Sequence, residues 1–410
     1  MNIGLFGGQF DPFHNGHESI IRGALKSGII DAVIVIPSAR NPFKTGSQVS
    51  AAPYRFYMTK NAVEQDFEGE NVFVSDVEFM YSGTSYTVTT IKQITKPSYI
   101  RTFLGSCGVK QKQAHQNHKY YWLAGSDVLP KFDQWYEPEK ILEQAGLLVA
   151  SRPGDGVDVD EQIARLRKLF GPSADIRSFR TEQVAAASSD IRAEHDLSEV
   201  PESVKEFIAA HALYSDEDPL MSVSQKTAED YYENAIKLYR YLGQKRLLHT
   251  LNVGILSARY ALRYDTSLCD RALIAGQLHD CAKELDESLQ KEMAYRYSGE
   301  LFTEKKLLHS PAGALFAQEE FGITDPDILD AITYHTTGRG NMSLLEKIVY
   351  LADKLEPSRT YADLEKERQT AFTDLDEALR MVAASMKRKF ESRGQEMHPL
   401  SLDFMSDLGL

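Results

Sequence analysis

Asn2-Ile3-Gly4-Leu5-Phe6-Gly7-Gly8-Gln9-Phe10-Asp11-Pro12-Phe13-His14-Asn15-Gly16-His17 decides how the first half of the chain folds. The apolar run Asn2–Phe6 reads as a strand that passes straight into two glycines, and a helical pattern follows over Glu18–Lys26. Glycines after a strand let the backbone approach a phosphate closely. The helix start beyond them adds free N–H groups and the positive end of the helix dipole. His14 and His17 stand three apart at that helix start, so both can point at one anion.

The same rhythm continues outward. Ala32–Ile36, Tyr120–Ala124 and Leu147–Ala150 read as further strands, and Tyr54–Glu64 carries apolar residues at helical spacing. Strands alternating with helices predict an α/β, Rossmann-like, doubly wound parallel sheet over residues 1–214, closed by a helix over Pro201–Leu213. Ligands of such sheets bind beyond the carboxyl ends of the strands. The polar stretch Lys96–Lys119, with His115 and His118, reads as a solvated insertion loop. Residues 215–228 are polar, contain Pro219 and lack periodicity, which marks a linker. Over 229–410 helical patterns recur near 229–241, 247–262, 268–281, 304–320, 326–334, 343–355 and 374–391 with hardly a strand-like run, so an all-α bundle is expected.

Composition narrows the function classes. A length of 410 residues exceeds what one core usually supports, in keeping with two domains. The net charge of −13 argues against a nucleic-acid-coating surface, which needs excess positive charge. It leaves room for mononucleotides received by a few local cations or a metal. No run of 18 apolar residues spans a membrane, the start lacks the pattern of a signal peptide, and the 3 cysteines are too scattered for a disulfide framework. A cytoplasmic protein is expected; assembly into a homo-oligomer stays open.

In the helical half the histidines speak through their placement. His249, His279, His309 and His335 recur about thirty residues apart, each on or at the end of a predicted helix, with Asp280 beside His279 and Asp353 further on. One histidine on an apolar face is usually a satisfied core residue. Four of them with two aspartates, in a half where only His398 remains, point to a metal centre built by separate helices. Imidazole with carboxylate suits iron, manganese, cobalt, nickel or zinc rather than calcium. Six ligands exceed the need of one open catalytic ion, so two metals are expected, with Asp280 bridging. Such a pair activates water at neutral pH and neutralises a phosphoryl group.

Both halves also carry resemblances. The opening string resembles the signature of nucleotidyltransferases that move an adenylyl group from ATP. Pro42-Phe43-Lys44, Glu78 with Ser85-Tyr86-Thr87, Tyr121-Trp122-Leu123-Ala124-Gly125-Ser126-Asp127, Gln134-Trp135-Tyr136, Ser151-Arg152-Pro153-Gly154 and Ser188-Ser189-Asp190-Ile191-Arg192 extend it, in order, to the bacterial nicotinate-nucleotide adenylyltransferases. The resemblance implies that His14, His17, Lys44 and Arg192 serve the ATP phosphates, with Mg2+ as counter-ion. Gly7, Gly8, Phe10, Gly16, Thr84, Ser85, Tyr86, Gly125, Asp127, Arg152, Ser188 and Ser189 would line the nucleotide, Ser188 and Ser189 opening a second phosphate-binding helix start. Trp135 would stack on the nicotinate ring of nicotinate mononucleotide. Two departures touch the acceptor: the family usually has Pro-His-Lys where Phe43 stands here, and often a basic residue where Tyr81 stands. Transfer to another phosphorylated acceptor is therefore the alternative.

Leu278-His279-Asp280, Ala331-Ile332-Thr333-Tyr334-His335-Thr336-Thr337-Gly338-Arg339 and Ser343 through Leu351-Ala352-Asp353-Lys354-Leu355-Glu356-Pro357 resemble the HD phosphohydrolases, and among them the YqeK-type diadenosine tetraphosphate hydrolases. The resemblance implies symmetrical cleavage to two ADP at two transition-metal ions, commonly iron, held by His249, His279, Asp280, His309, His335 and Asp353. Lys283 and Arg339 would hold substrate phosphates. A regulatory module that binds nucleotides without turnover is the alternative for this half.

Overall fold

Strands β1 (Asn2–Gly8), β2 (Ala32–Pro37), β3 (Val72–Val74), β4 (Lys119–Gly125), β5 (Gly146–Ser151) and β6 (Ile176–Arg180) pair in parallel in the order β3-β2-β1-β4-β5-β6. They belong to a computed structural model that describes residues 1–410 except 41–48, 152–155, 183, 185, 216–217 and 363. The four strands read from the sequence are present, each a residue or two longer. β3 and β6 escaped that reading: β3 has 3 residues, and β6 buries Ile176 and Phe179 between exposed Arg177 and Arg180.

Helices α1 (Asn15–Lys26), α2 (Ala52–Asp66), α3 (Thr87–Ile94), α4 (Pro97–Ser106), α5 (Gln111–Ala114), α6 (Pro138–Gln144), α7 (Val159–Phe170), α8 (Ser188–Glu194) and α9 (Glu202–His211) complete this half. The chain leaves β1 for β2 and β3 on one side and returns to β4 on the other, so the order reverses between β1 and β4. A ligand crevice is expected outside their carboxyl ends. The two strands pack closely there, and a Cβ on Gly7 would sit 2.3 Å from the Trp122 ring.

The stretch Lys96–Lys119 is a correction: it is not a solvated loop. Pro97 opens α4 in the first-turn position where its missing N–H costs nothing. Ile100 and Leu104, four apart on one face, then bury into the sheet core together with Ala114 of α5. The polar residues between them masked that spacing.

The chain divides into two compact units, Met1–Ala209 and Ala210–Leu410, the division falling within α9. The stretch 215–228 holds a short 3-10 turn, Pro219–Ser222, and the first turn of α10 (Gln225–Leu238), where Ser224 Oγ accepts from Thr227 N. α11 (Gln244–Tyr264), α12 (Cys269–Leu278), α13 (Glu287–Ser298), α14 (His309–Phe321), α15 (Pro326–Tyr334), α16 (Leu344–Leu355), α17 (Leu364–Ala371), α18 (Leu375–Ser392) and α19 (Pro399–Asp407) follow. This unit has no strand among its described residues. α11 and α12 approach backbone to backbone through Gly254 and Gly276; a Cβ on Gly276 would lie 2.6 Å from Ser257 Oγ and 2.8 Å from Val253 O. That crossing sets His249 of α11 beside His279 and Asp280 at the end of α12. No helix among the described residues is long and apolar enough to cross a membrane.

Candidate active sites

In the helical unit the six expected ligands converge although five helices supply them. His249 lies within α11, His279 caps α12, His309 opens α14, His335 caps α15 and Asp353 lies in the last turn of α16. Asp280 is central. Its Oδ2 stands 3.5 Å from His279 Nε2 and 4.0 Å from His249 Nε2, while its Oδ1 stands 3.3 Å from His309 Nε2 and 3.5 Å from His335 Nε2. Asp353 Oδ1 adds contacts of 3.1 Å to His249 Nε2 and 3.6 Å to His279 Nε2.

These atoms face one another without bonding well. His279 Nε2 and Asp280 Oδ1 are buried and have no hydrogen-bond partner, whereas buried polar atoms are bonded as a rule. His249–His279–Asp280, His279–His335–Asp353 and Asp280–His309–His335 each bring three donor atoms within 4.8 Å of one another. An orphaned nitrogen and an orphaned carboxylate oxygen among converging ligand atoms fit a metal centre, and the split of Asp280 between two histidine pairs fits two ions.

The rings are oriented from behind. His279 Nδ1 lies 2.7 Å from Gly276 O, His335 Nδ1 2.7 Å from Ile332 O, and His249 Nδ1 3.0 Å from the Glu356 carboxylate. Each contact places the N–H on Nδ1 and turns the Nε2 lone pair toward the centre. Burial keeps His309 and His335 below the usual histidine range, hence neutral. Burial opposes ionisation of Asp280 and Asp353 too, but the imidazoles, and Lys354 for Asp353, hold both well below the usual carboxylate range. Burial also works against His279⁺, yet Asp280 and Asp353 push His279 up to about 9. The carboxylates demand positive charge at that spot, which a metal ion would supply in place of the proton.

Lys283 Nζ lies 2.9 Å from His309 Nε2 and 4.0 Å from Asp280 Oδ1, inside the cluster. Arg339 is placed otherwise: its guanidinium pairs with buried Glu346 at 2.7 Å and Asp330 at 2.8 Å and lies over the Tyr334 ring. A phosphate would have to compete with those two carboxylates. Sequence reasoning missed Arg246, 2.5 Å from Asp280 Oδ2, Arg359, 2.9 Å from Asp353 Oδ1, and the orienting Glu356. The spacing of Arg246, one turn before His249, was the available signal.

In the sheet unit the expected loop closes over the end of β1. His14 is the N-cap of α1; its backbone N–H donates to His17 Nδ1 at 3.2 Å, and the two rings stack 3.7 Å apart. Phe10 holds φ at +50°, a conformation costly for a residue with a Cβ, and its ring meets that of His17 edge-on at 4.8 Å. Phe13 stacks on His17 at 5.4 Å. Three aromatic contacts, with Phe6 as the third, thus hold one imidazole at the helix start beside Gly16.

The loop is tied from beneath. Arg192 donates to the carbonyls of Asp11 and Ser188, and Ser188 Oγ donates to Pro12 O at 3.0 Å. Ser189 Oγ instead donates to Asp190. α8 is thereby brought against the His14 loop across more than 170 residues of chain. At the end of β4, a Cβ on Gly125 would meet Asp127 Oδ1 at 2.4 Å, so Asp127 folds back over the strand end. Ser85 and Tyr86 lead into α3: Arg40 N donates to Ser85 Oγ at 3.0 Å, and Tyr86 packs its ring 4.5 Å from Tyr136. Thr84 accepts from Tyr86 N at 2.9 Å. Glu78 is buried, which raises its carboxyl, and it accepts from Thr90 Oγ1, itself 3.0 Å from Tyr81 OH. Trp135 is half-buried and rests 5.4 Å from Phe132 at the edge of the core. Lys44, with Pro42 and Phe43, and Arg152 lie outside the described residues.

Comparison with known proteins agrees with this division. Residues 5–194 match the cytidylyltransferase-like family and residues 246–358 the HD domain family. A Mycoplasma pneumoniae protein named probable nicotinate-nucleotide adenylyltransferase/Ap4A hydrolase is 25% identical over 366 residues, 88% of this chain and 90% of its own. A probable nicotinate-nucleotide adenylyltransferase of Clostridium tetani is 32% identical over 219 residues, 51% of this chain and 97% of its own. A symmetrical bis(5'-nucleosyl)-tetraphosphatase of Halalkalibacterium halodurans is 41% identical over 142 residues, 34% of this chain and 75% of its own. The chain belongs to two families of enzymes, the nicotinate-nucleotide adenylyltransferases through its first half and the symmetrical bis(5'-nucleosyl)-tetraphosphatases through its second.

Proposed function

We propose that this chain carries out two reactions of nucleotide metabolism in the cytoplasm. Residues 1–214 transfer the adenylyl group of ATP to nicotinate mononucleotide, giving deamido-NAD and pyrophosphate, a step of NAD biosynthesis. Residues 229–410 hydrolyse diadenosine tetraphosphate symmetrically to two ADP, with 215–228 connecting the two. The observation that carries the second assignment is Asp280, whose two oxygens face two different histidine pairs.

In the transferase a phosphate oxygen of the mononucleotide attacks the α-phosphorus of ATP in line, and the bond to pyrophosphate breaks. Covalent work by the protein is not required; positioning and charge stabilisation suffice. His14 and His17 at the start of α1 meet the charge that grows on the phosphate oxygens, with Lys44 and Arg192 as further cations, and Arg152 lines the nucleotide. Arg192, through the Asp11 carbonyl, and Ser188, through the Pro12 carbonyl, keep that loop in place. Gly7, Gly8 and Gly125 leave room for the nucleotide at the strand ends, Asp127 and Thr84 to Tyr86 flank it, and Trp135 offers a ring face to the nicotinate. Mg2+ accompanies ATP.

In the hydrolase His249, His279, Asp280 and Asp353 would hold one metal ion and Asp280, His309 and His335 a second, iron being the first choice. When bound, the pair activates water at neutral pH and neutralises the phosphoryl group under attack. Lys283, Arg246 and Arg359 surround that centre as cations for the remaining phosphates.

A product assay tests both halves. With ATP, Mg2+ and nicotinate mononucleotide the chain should release pyrophosphate and deamido-NAD; with diadenosine tetraphosphate and Fe2+, Mn2+, Co2+ or Ni2+ it should release ADP alone. Formation of AMP and ATP from the tetraphosphate, or turnover with none of these ions, would refute the symmetrical hydrolase. A second reading of the first half rests on Phe43: turnover of a different phosphorylated acceptor in preference to nicotinate mononucleotide would establish it.

A further inference from the structure

The four imidazoles of the helical unit are not backed alike. His279 and His335 lean through Nδ1 on neutral backbone carbonyls, those of Gly276 and Ile332. His309 has the ammonium of Lys283 at 3.2 Å from Nδ1 and 2.9 Å from Nε2. His249 alone among the described ligands leans on a carboxylate, Glu356 Oε1 at 3.0 Å. A carboxylate behind an imidazole fixes its tautomer, aligns the ring and makes it a stronger donor.

Glu356 is held for that task. It is buried, and its oxygens accept from Asn252 Nδ2 at 2.8 Å, Ser358 N at 2.8 Å and Ser358 Oγ at 2.7 Å, besides His249. Asn252 in turn contacts His211 at the end of α9 through its side-chain amide.

The donor sets differ in the same sense. His249 and His279 each have both Asp280 and Asp353 within 4.0 Å, whereas His309 and His335 have Asp280 alone at that range, Asp353 standing further from His335. Each side also has one cation leaning on a ligating nitrogen, Arg359 at 3.4 Å from His249 Nε2 and Lys283 at 2.9 Å from His309 Nε2.

We infer that the two metal positions are unequal, the ion at His249, His279, Asp280 and Asp353 binding first and more tightly, and that Glu356 is the positioning residue that sets this order. The inference rests on the two-metal reading above. Lys283 Nζ stands 2.9 Å from His309 Nε2 and 4.0 Å from Asp280 Oδ1, so filling the second position requires its ammonium to move aside. The second position is therefore the exchangeable one, open to whichever divalent ion the surroundings offer, while the first retains its ion.

Titration of the full chain, stripped of metal by a chelator, with Mn2+ alone tests this. Free Mn2+ is read by electron paramagnetic resonance and heat by calorimetry. Two steps separated by at least about tenfold are expected in the wild type. Glu356→Gln should weaken the first step by roughly 10–100-fold, the usual scale for an outer-shell partner of a metal-bound histidine, and bring the steps together. His309→Ala should remove the second step and leave the first. Ser358→Ala, which loosens Glu356 without removing its charge, should weaken the first step in the same direction by less and serves if Glu356→Gln does not fold. Two equal sites in the wild type, or a first step indifferent to both Glu356→Gln and Ser358→Ala in folded protein, would overturn the inference and leave the two-metal reading standing. Absence of any bound Mn2+ would overturn both.

Discussion

Glu356 Oε1 lies 3.0 Å from Nδ1 of His249, although the two residues are 107 positions apart on α11 and just beyond α16. The contact joins the first and last ligand-bearing helices of the bundle and shows how the centre is organised. Behind His249, His279 and His335 a fixed acceptor at Nδ1 decides which nitrogen faces inward.

Removal of Asp280 should separate the two activities. Asp280→Ala takes an oxygen from both histidine pairs at once. Metal content should fall from about two ions per chain toward none, and ADP release from diadenosine tetraphosphate should vanish. Pyrophosphate release by the first unit should stay within about twofold of wild type. Metal analysis with the two product assays reads all three quantities.

His17 offers the corresponding test in the sheet unit. Loss of one pre-organised stabilising donor commonly costs 10²–10³ in kcat, and His17→Ala should fall in that range for adenylyl transfer with hydrolysis untouched. Activity within about threefold of wild type, from protein with unchanged circular dichroism, would make the stacked His14–His17 pair a purely structural cap.

Close packing between α11 and α12 predicts a remote effect on the centre. Gly276→Ala places a methyl group 2.8 Å from Val253 O, a backbone atom that cannot turn away. Overpacking of this kind costs about 1–3 kcal/mol. Because His279 and Asp280 follow directly, metal retention should drop along with stability. Urea denaturation and metal content of the same preparation measure the two effects.

Glu18, next to His17 in the first turn of α1, supplies a pH dependence of stability. Burial, with Asp66 nearby, raises its carboxyl to about 7, against an ordinary value of 4.5 when the chain is unfolded. Between these values the folded state binds more protons than the unfolded one, so stability falls as pH rises from about 4.5 to 7. Glu18→Gln, which stays neutral, should be near wild type at pH 5 and more stable at pH 8, by on the order of 1 kcal/mol after allowance for the partly exposed Arg22 3.7 Å away. Denaturation curves at the two pH values decide it; an equal effect at both would show that charge is not the cause.

Much of this protein is determined by sequence alone. A strand ending in Gly7-Gly8 and continuing into His14 and His17 needs only local chemistry to make a turn and a helix start, and the structure places β1 and α1 there. Histidines about thirty residues apart on helical patterns announce a centre because burying four imidazoles with two aspartates has few other uses. Tertiary structure decided the rest. The segment 96–119 looked solvated because its buried residues, Ile100, Leu104 and Ala114, are few and spread among polar ones, and only the sheet core covers them. α13, α17 and α19 went unread for a related reason, since each buries two or three residues, too few to leave a period. Arg339 carries a charge whose sequence context suggests a phosphate, but its neighbours Glu346 and Asp330 come together only when α15 and α16 pack. The partners that turn a set of ligands into a directed centre, Glu356 behind His249 and Lys283 against His309, are set by distances of about 3 Å between residues far apart in the chain. Periodicity can place a side chain on a face, but only packing fixes what stands opposite it.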